Sequence, residues 1–260
     1  MTALGGALAF VFGLALGSFA NVIVYRVPRG LSIVSPPSAC PRCNVEIKPW
    51  HNVPVLGWLW LRGRCASCGE PISARYPLIE LGTGVAFATV WVATGPSAST
   101  GVLLGLVYFG IVLSAIDIEL RRLPNPITLA FAVVTVIAIV GAAAATGDWD
   151  GALRALWGAL ILGAFYFVAF LVYPKGMGFG DVKLAPVIGA VLGSLGWAEL
   201  SVGAFAAFLW GGVFGLVQMA RQRHGRGVAI PFGPWMFAGA VTGAAVGPPV
   251  ADWYLRLAGL

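Results

Sequence analysis

Long apolar segments constrain this chain more than any other feature, because each is about as long as a helix that crosses a bilayer. Eight segments are predicted as such helices, near residues 4–24, 77–95, 100–117, 127–146, 153–173, 184–197, 199–220 and 232–252. The segment at 184–197 is short and glycine-rich, so a re-entrant element is the alternative there. Charged residues make up only 10% of the chain, against about 25% in soluble domains. The sequence therefore predicts an all-α polytopic membrane protein with about eight transmembrane helices.

Basic residues predict the orientation of these helices, since cytoplasmic loops retain Lys and Arg. Of the 16 Lys and Arg residues, all but Arg154 and Arg256 fall into alternate inter-helix segments. The predicted cytoplasmic residues are Arg26, Arg29, Arg42, Lys48, Arg62, Arg64, Arg75, Arg121, Arg122, Lys175, Lys183, Arg221, Arg223 and Arg226. We therefore expect a multi-pass protein of the plasma (inner) membrane with both termini outside. The net charge of +6 is interpreted as a topology signal, and no nucleic-acid partner is expected.

All four cysteines lie between the first two predicted spans. Cys40 and Cys43 form one CxxC pair, and Cys65 and Cys68 form a second pair after 21 intervening residues. Two such pairs are typical of a closed, structural tetrahedral zinc site with four thiolates. A redox pair or two disulfides are the alternatives, and a reducing cytosol disfavours structural disulfides. We predict a first transmembrane helix at 1–25, a cytoplasmic zinc-binding loop at 26–76 and a catalytic helix bundle at 77–260.

Two aspartates occupy positions where a carboxylate is costly. Asp117 ends the apolar segment LVYFGIVLSAID, and Asp181 lies in YPKGMGFGDVKLAP at the start of the short segment. The predicted topology puts both at the cytoplasmic edge of the membrane. Two carboxylates that meet in a low dielectric share one proton, which suits a pair that activates water and protonates a leaving amide. The alternatives are that Asp117 merely ends a helix near water and that Asp181 is an N-cap.

A run of glycines precedes Asp181 and is more permissive than a helix cap requires. It consists of Gly176, Gly178 and Gly180. Because glycine lets another backbone approach closely, this run could admit an extended peptide substrate. We predict Gly178, Gly180 and Lys183 as substrate contacts.

Four ordered blocks resemble the bacterial prepilin peptidases, or type IV leader peptidases, which are polytopic aspartic proteases of the GxGD kind. GSFANVIVYRVP at 17–28 is similar to the opening signature of that family. The stretch from Cys40 to Glu80 is similar to its zinc-loop block. SAIDIELRRLPNPIT and GMGFGDVKLA resemble its two aspartate segments. Asn125 departs from the pattern, because family members often have aspartate there.

The resemblance implies a reaction and its substrates. The expected reaction is hydrolysis after a glycine where a short basic leader joins a hydrophobic helix, in precursors of type IV pilins or pseudopilins. By motif position, Asp117 and Asp181 carry the catalytic role. Many family members also methylate the new N-terminus with S-adenosylmethionine, so that activity and that methyl donor are implied as well.

Two other classes of protein remain open from the residues alone. One is a proton- or ion-coupled transporter whose aspartates relay protons and whose zinc loop is regulatory. Transporters of that kind often show inverted repeats, and none is visible in the sequence. The other is a membrane scaffold in which zinc organises a docking loop.

Overall fold

The computed structural model describes residues 2–174, 176–222 and 231–259. Its helices are α1 (Thr2–Arg26), α2 (Leu56–Trp60), α3 (Arg75–Thr94), α4 (Ala98–Leu120), α5 (Asn125–Thr146), α6 (Trp149–Val172), α7 (Phe179–Leu195), α8 (Trp197–Gln222) and α9 (Gly233–Leu257). Apart from the five-residue α2, these are eight long helices at the eight predicted positions. The described residues contain isolated β-bridges but no strand. The all-helical fold class is therefore confirmed.

Six described helices are long and apolar enough to cross a membrane, namely α1, α3, α4, α5, α6 and α8. Helix α7 has only 17 residues, which agrees with the prediction of a short element at this position. Helix α9 contains Pro248 and Pro249 and is less apolar on average than α4, α5 or α6. The count of about eight spans is thus approximate. The protein is a multi-pass membrane protein.

The chain forms two compact units, Met1–Pro96 and Ser97–Leu260. In the first unit, α1 packs along α3, and glycine permits the close approach. A Cβ at Gly13 would lie 2.8 Å from the Gly84 Cα, and a Cβ at Gly17 would lie 2.7 Å from the Glu80 Cα. Small residues at a crossing let helices gain van der Waals contact in a bilayer, where lipid removes the hydrophobic driving force. Helix α3 was predicted as part of the catalytic bundle at 77–260, whereas its contacts group it with α1.

The second unit contains α4 to α9, with α6 against α7 and α8 against α9 as its closest pairs. A Cβ at Gly189 would lie 2.2 Å from the Gly158 carbonyl oxygen, so the α6–α7 crossing excludes larger residues there. Helix α4 contacts α5, α7 and α9. Its side chains Val112, Leu113 and Ile116 are fully buried at this centre. The packing therefore surrounds the last turns of α4, where Asp117 lies.

Candidate active site and candidate metal centre

Asp117 lies in the last turn of α4 and is buried, with 5% of its surface exposed. The helix ends because Arg121 adopts a left-handed conformation (φ 52°), and its N–H donates to the Asp117 carbonyl. The side-chain Oδ2 of Asp117 accepts a hydrogen bond from the backbone N–H of Gly233 at 3.1 Å. Gly233 is the first residue of α9. The start of one helix therefore orients the carboxylate at the end of another.

Asp181 lies in the first turn of α7 and is also buried, with 7% exposure. Gly178 is the N-cap of this helix, with extended backbone and no capping side chain. The N-cap interpretation of Asp181 is therefore wrong, because Asp181 lies three residues beyond the cap. A Cβ at Gly178 would lie 3.2 Å from Oδ2 of Asp181, so the absence of a side chain at the cap leaves room for the carboxylate.

The end of α4 and the starts of α7 and α9 meet, and the two aspartates lie close enough for the charge of Asp117 to act on Asp181. Leu123, just beyond α4, packs against the starts of α7 and α9. A Cβ at Gly180 would lie 3.1 Å from the Leu123 Cβ, and one at Gly233 would lie 3.4 Å from the Leu123 Cδ2. The packing thus brings together two carboxylates that are distant in the sequence. Such a pair has the groups required for general acid–base chemistry.

The predicted substrate contacts lie beside this pair with differing exposure. Gly178 and Lys183 are exposed, while Gly180 is half-buried against Leu123. The Nζ atom of Lys183 donates to the side-chain oxygen of Asn125 at 2.8 Å and lies 4.8 Å from the centre of the Phe179 ring. Lys183 therefore links the starts of α5 and α7 at the edge of the aspartate pair.

Sequence reasoning missed three residues around the aspartates: Gly233, Leu123 and Tyr166. The Tyr166 side chain on α6 is only 1% exposed and interacts electrostatically with Asp181. The only sequence signal among these, which marks a helix start and not a contact with Asp117, is at Gly233. It lies in PFGPW, where proline at the start of a predicted helix follows a basic segment on the predicted side of both aspartates.

The four cysteines form one cluster in the first unit, and their sulfur atoms lie within 4.8 Å of one another. The Cys40 and Cys68 sulfurs are 3.8 Å apart, and those of Cys43 and Cys65 are 4.0 Å apart. A disulfide requires about 2.05 Å between sulfurs, and all four cysteines are free. The disulfide alternative is therefore wrong in this structure, and the cluster could hold a metal ion.

The two CxxC turns are built by the same backbone hydrogen bonds. Cys40 N–H donates to Val45 O at 3.0 Å and Asn44 N–H to Cys40 O at 2.9 Å. In the second turn, Cys65 N–H donates to Glu70 O at 2.8 Å and Gly69 N–H to Cys65 O at 3.0 Å. The fourth residue after each first cysteine, Asn44 or Gly69, has positive φ, which asparagine and glycine tolerate best. An ion pair between Arg42 and Glu70 joins the two turns.

Backbone N–H groups also act on the sulfurs. The N–H groups of Cys68 and Ser67 lower the pKa of the Cys65 thiol to about 6. Those of Cys43 and Arg42 lower the pKa of Cys40. At Cys68, the Glu70 N–H favours the thiolate, but desolvation and the neighbouring sulfurs prevail and raise the pKa to about 12. Four thiolates this close together repel one another, and a bound cation would compensate their charge.

Comparison with protein families matches both units of the chain. Residues 11–94 match the Bacterial Peptidase A24 N-terminal domain, and residues 104–216 match the Type IV leader peptidase family. The first match covers the cysteine cluster, and the second covers both aspartates.

Several curated proteins are similar over nearly the whole chain, and each carries the name Prepilin leader peptidase/N-methyltransferase. The protein of Aeromonas hydrophila is 33% identical over 95% of this chain and 93% of its own length. The protein of Pseudomonas aeruginosa is 33% identical over 97% of this chain and 96% of its own length. The protein of Bacillus subtilis is 32% identical over 96% of this chain and 98% of its own length. These names give no support to the transporter alternative. No solved structure matches the chain.

Proposed function

The chain belongs to the type IV leader peptidase family, and from this premise we propose that it cleaves the basic leader from precursors of type IV pilins or pseudopilins. Asp117 and Asp181 are the proposed catalytic residues. The observation that carries this proposal is that two buried carboxylates, at the end of α4 and the start of α7, lie close enough for the charge of Asp117 to act on Asp181. Burying two carboxylates together is costly, so such a pair is typical of a functional site.

The proposed reaction uses one proton shared by the two carboxylates. The ionised carboxylate takes a proton from water, whose oxygen attacks the carbonyl carbon of the scissile peptide bond. The protonated carboxylate then gives its proton to the leaving nitrogen as the C–N bond breaks. The hydrogen bond from the Gly233 N–H to Asp117 holds that carboxylate in one orientation. Orientation of this kind is a large part of what a site contributes to the rate.

We propose that the precursor approaches along the start of α7. Gly178 is exposed and has extended backbone (φ −71°, ψ 138°) next to the Asp181 carboxylate. An extended substrate strand could pair with such backbone, because no side chain intervenes. Gly180 and Lys183 are the other proposed substrate contacts, with Lys183 exposed at the rim.

The proposed metal is a structural zinc ion bound by Cys40, Cys43, Cys65 and Cys68. A tetrahedral site with Zn–S bonds of about 2.3 Å has sulfur–sulfur edges of about 3.8 Å. The sulfur pairs at 3.8 and 4.0 Å are close to that value. Because four protein ligands leave no open position for water, the ion would stabilise the loop rather than catalyse.

N-methylation of the newly formed N-terminus, with S-adenosylmethionine as methyl donor, is the second proposed activity. Its support is the printed name of the relatives, which joins leader peptidase to N-methyltransferase. The test is transfer of labelled methyl groups from S-adenosylmethionine to cleaved precursor. Uncleaved precursor, whose N-terminus is still the leader, should gain no label.

The proposed topology places the cysteine loop in the cytoplasm, both termini outside and the protein in the plasma (inner) membrane. The unequal distribution of basic residues supports it. Lys175, Arg223 and Arg226 lie outside the described residues. Reporter fusions at either terminus and within the loop would test it, because only the loop fusion should report a cytoplasmic location.

One experiment tests the proposed cleavage directly. The purified protein in lipid vesicles is incubated with a precursor that has a short basic leader before a hydrophobic helix. We expect a product whose N-terminus begins immediately after the glycine at that junction, identified by sequencing. Intact precursor, or cleavage at unrelated positions, would contradict the proposal. The Asp150→Asn variant, changed at an exposed carboxylate of the second unit, should cleave like the unchanged protein.

A further inference from the structure

Helix α2 and the turn before it expose apolar side chains in the loop between α1 and α3. Trp60 is 85% exposed and Trp50 is 64% exposed, with Leu56 and Leu59 more than half exposed on the same short segment. Leu56, Leu59 and Trp60 share one face of α2 by their spacing, and exposed apolar surface rich in tryptophan marks an interaction site. The surroundings of this surface indicate which partner covers it.

The position of α2 relative to α3 indicates that this apolar surface lies near the membrane. The backbone N–H of Val55, immediately before α2, donates to the Glu80 carboxylate at 2.7 Å. Glu80 lies about 7.5 Å along the axis from the start of α3 at 1.5 Å per residue, inside a helix that is apolar enough to cross the membrane. The Trp58 indole N–H donates to Ile72 O at 3.0 Å, just before α3. Helix α2 is therefore tied to the first turns of a membrane span.

The charge around α2 indicates which lipid headgroups this surface would contact. Lys48, Arg62 and Arg64 flank the apolar segment and are exposed. No acidic residue lies between Lys48 and Arg64. Cations beside exposed tryptophans are complementary to anionic lipid headgroups.

We propose that α2 and Trp50 form an interfacial anchor. The exposed side chains of Trp50, Leu56, Leu59 and Trp60 insert at the boundary between headgroups and acyl chains. The three flanking cations contact anionic headgroups. The hydrogen bond from the Val55 N–H to the Glu80 carboxylate sets how deeply α2 inserts. The anchor holds the cysteine loop against the bilayer, and it does not depend on the proposed peptidase activity.

A photo-cross-linker tests which partner covers this surface. The full chain, with Trp60 replaced by p-benzoylphenylalanine, is placed in vesicles of phosphatidylethanolamine and phosphatidylglycerol without precursor and irradiated. The same replacement at Ser67, which is exposed in the second CxxC turn, is the matched control. We expect lipid adducts at position 60 at about ten times the yield at position 67. Equal yields, or adducts at position 60 only with a second copy of the chain, would overturn the proposal.

Two further measurements test which partner occupies this surface and whether the flanking cations contribute to binding. Addition of a precursor should leave the lipid adducts at position 60 unchanged, whereas their replacement by precursor adducts would make the surface a peptide site. The Arg62→Gln/Arg64→Gln variant should lower the adduct yield about fivefold in vesicles with phosphatidylglycerol. It should change nothing in vesicles of phosphatidylcholine alone. An equal effect in both lipids would overturn the proposed headgroup contact.

Discussion

The cysteine cluster and the aspartate pair are assembled in different ways within one chain. Each CxxC turn forms from neighbouring residues, and both turns repeat the same hydrogen bonds, as between Cys40 and Val45 and between Cys65 and Glu70. The aspartates depend instead on the tertiary packing of α4, α7 and α9, because Asp117 takes its backbone donor from Gly233, far along the chain.

This difference implies that the two sites respond to different changes. Loss of one thiolate removes a proposed metal ligand from a local cluster. A small shift between helices, in contrast, misplaces a carboxylate without touching it. A substitution at one site should therefore change metal content or peptide cleavage without changing the other. The substitutions below test this difference between the two sites.

Replacing either aspartate should have the largest effect. Asp117→Asn or Asp181→Asn removes a carboxylate that the proposed acid–base pair requires, and we expect cleavage to fall about 10²–10⁴-fold. The measurement is the initial rate of precursor cleavage in lipid vesicles, with metal content determined on the same sample. Metal content should not change. Cleavage at more than a tenth of the original rate by Asp117→Asn would contradict a catalytic role for Asp117.

Gly233→Ala should have the next largest effect, although it leaves both carboxylates in place. The new Cβ would lie 2.8 Å from Oδ2 of Asp117, so the carboxylate must move away from its donor. We expect cleavage to fall about 10–100-fold, since small misplacements of a catalytic group cost that much. Gly212→Ala is the matched control, because nothing lies within 4 Å of a Cβ there. Equal rates for the two variants would show that the Gly233 contact is dispensable.

Cys40→Ser should separate metal binding from cleavage. Loss of one of four thiolate ligands should release the metal, measured as bound zinc per chain. The aspartate pair belongs to the other compact unit, so we expect cleavage to fall less than about tenfold. Loss of cleavage as complete as in Asp181→Asn would show that the two sites are not separable. Ser67→Ala, at an exposed non-ligand position, should retain both properties.

Arg42→Gln should have the smallest effect. It removes the ion pair with Glu70 that joins the two CxxC turns, but the Arg42 side chain is 71% exposed, and solvent screens such pairs. We expect metal affinity to fall less than about fivefold, measured by competition with a chelator, and cleavage not to change. A larger loss of affinity would mean that the ion pair, rather than the backbone turns, holds the cluster together.

The sequence predicted the elements that have a local signal. Apolar length alone located the eight long helices within a few residues, including the short α7. The CxxC spacing identified the cysteine cluster because its geometry follows from local turns. Helix α2 was not predicted, since five residues give too little periodicity to recognise.

The rest depends on packing that the sequence does not display. Placing α3 with α1 follows from the fit of Gly13 and Gly17 against its backbone, which apolar length cannot show. Gly233 was missed because its contribution is a backbone N–H, and every non-proline residue has one. The topology and the catalytic and substrate-contact roles of individual residues stay predictions.

A double-mutant cycle on the cleavage rate tests whether Asp117 and Asp181 act jointly. Rates are measured for Asp117→Asn, Asp181→Asn and the double variant in the same vesicles. If the two carboxylates share one task, the double variant should be no slower than the slower single variant. If each single variant retains substantial activity and the two losses multiply in the double variant, the residues act independently, which would contradict a shared proton between the two carboxylates.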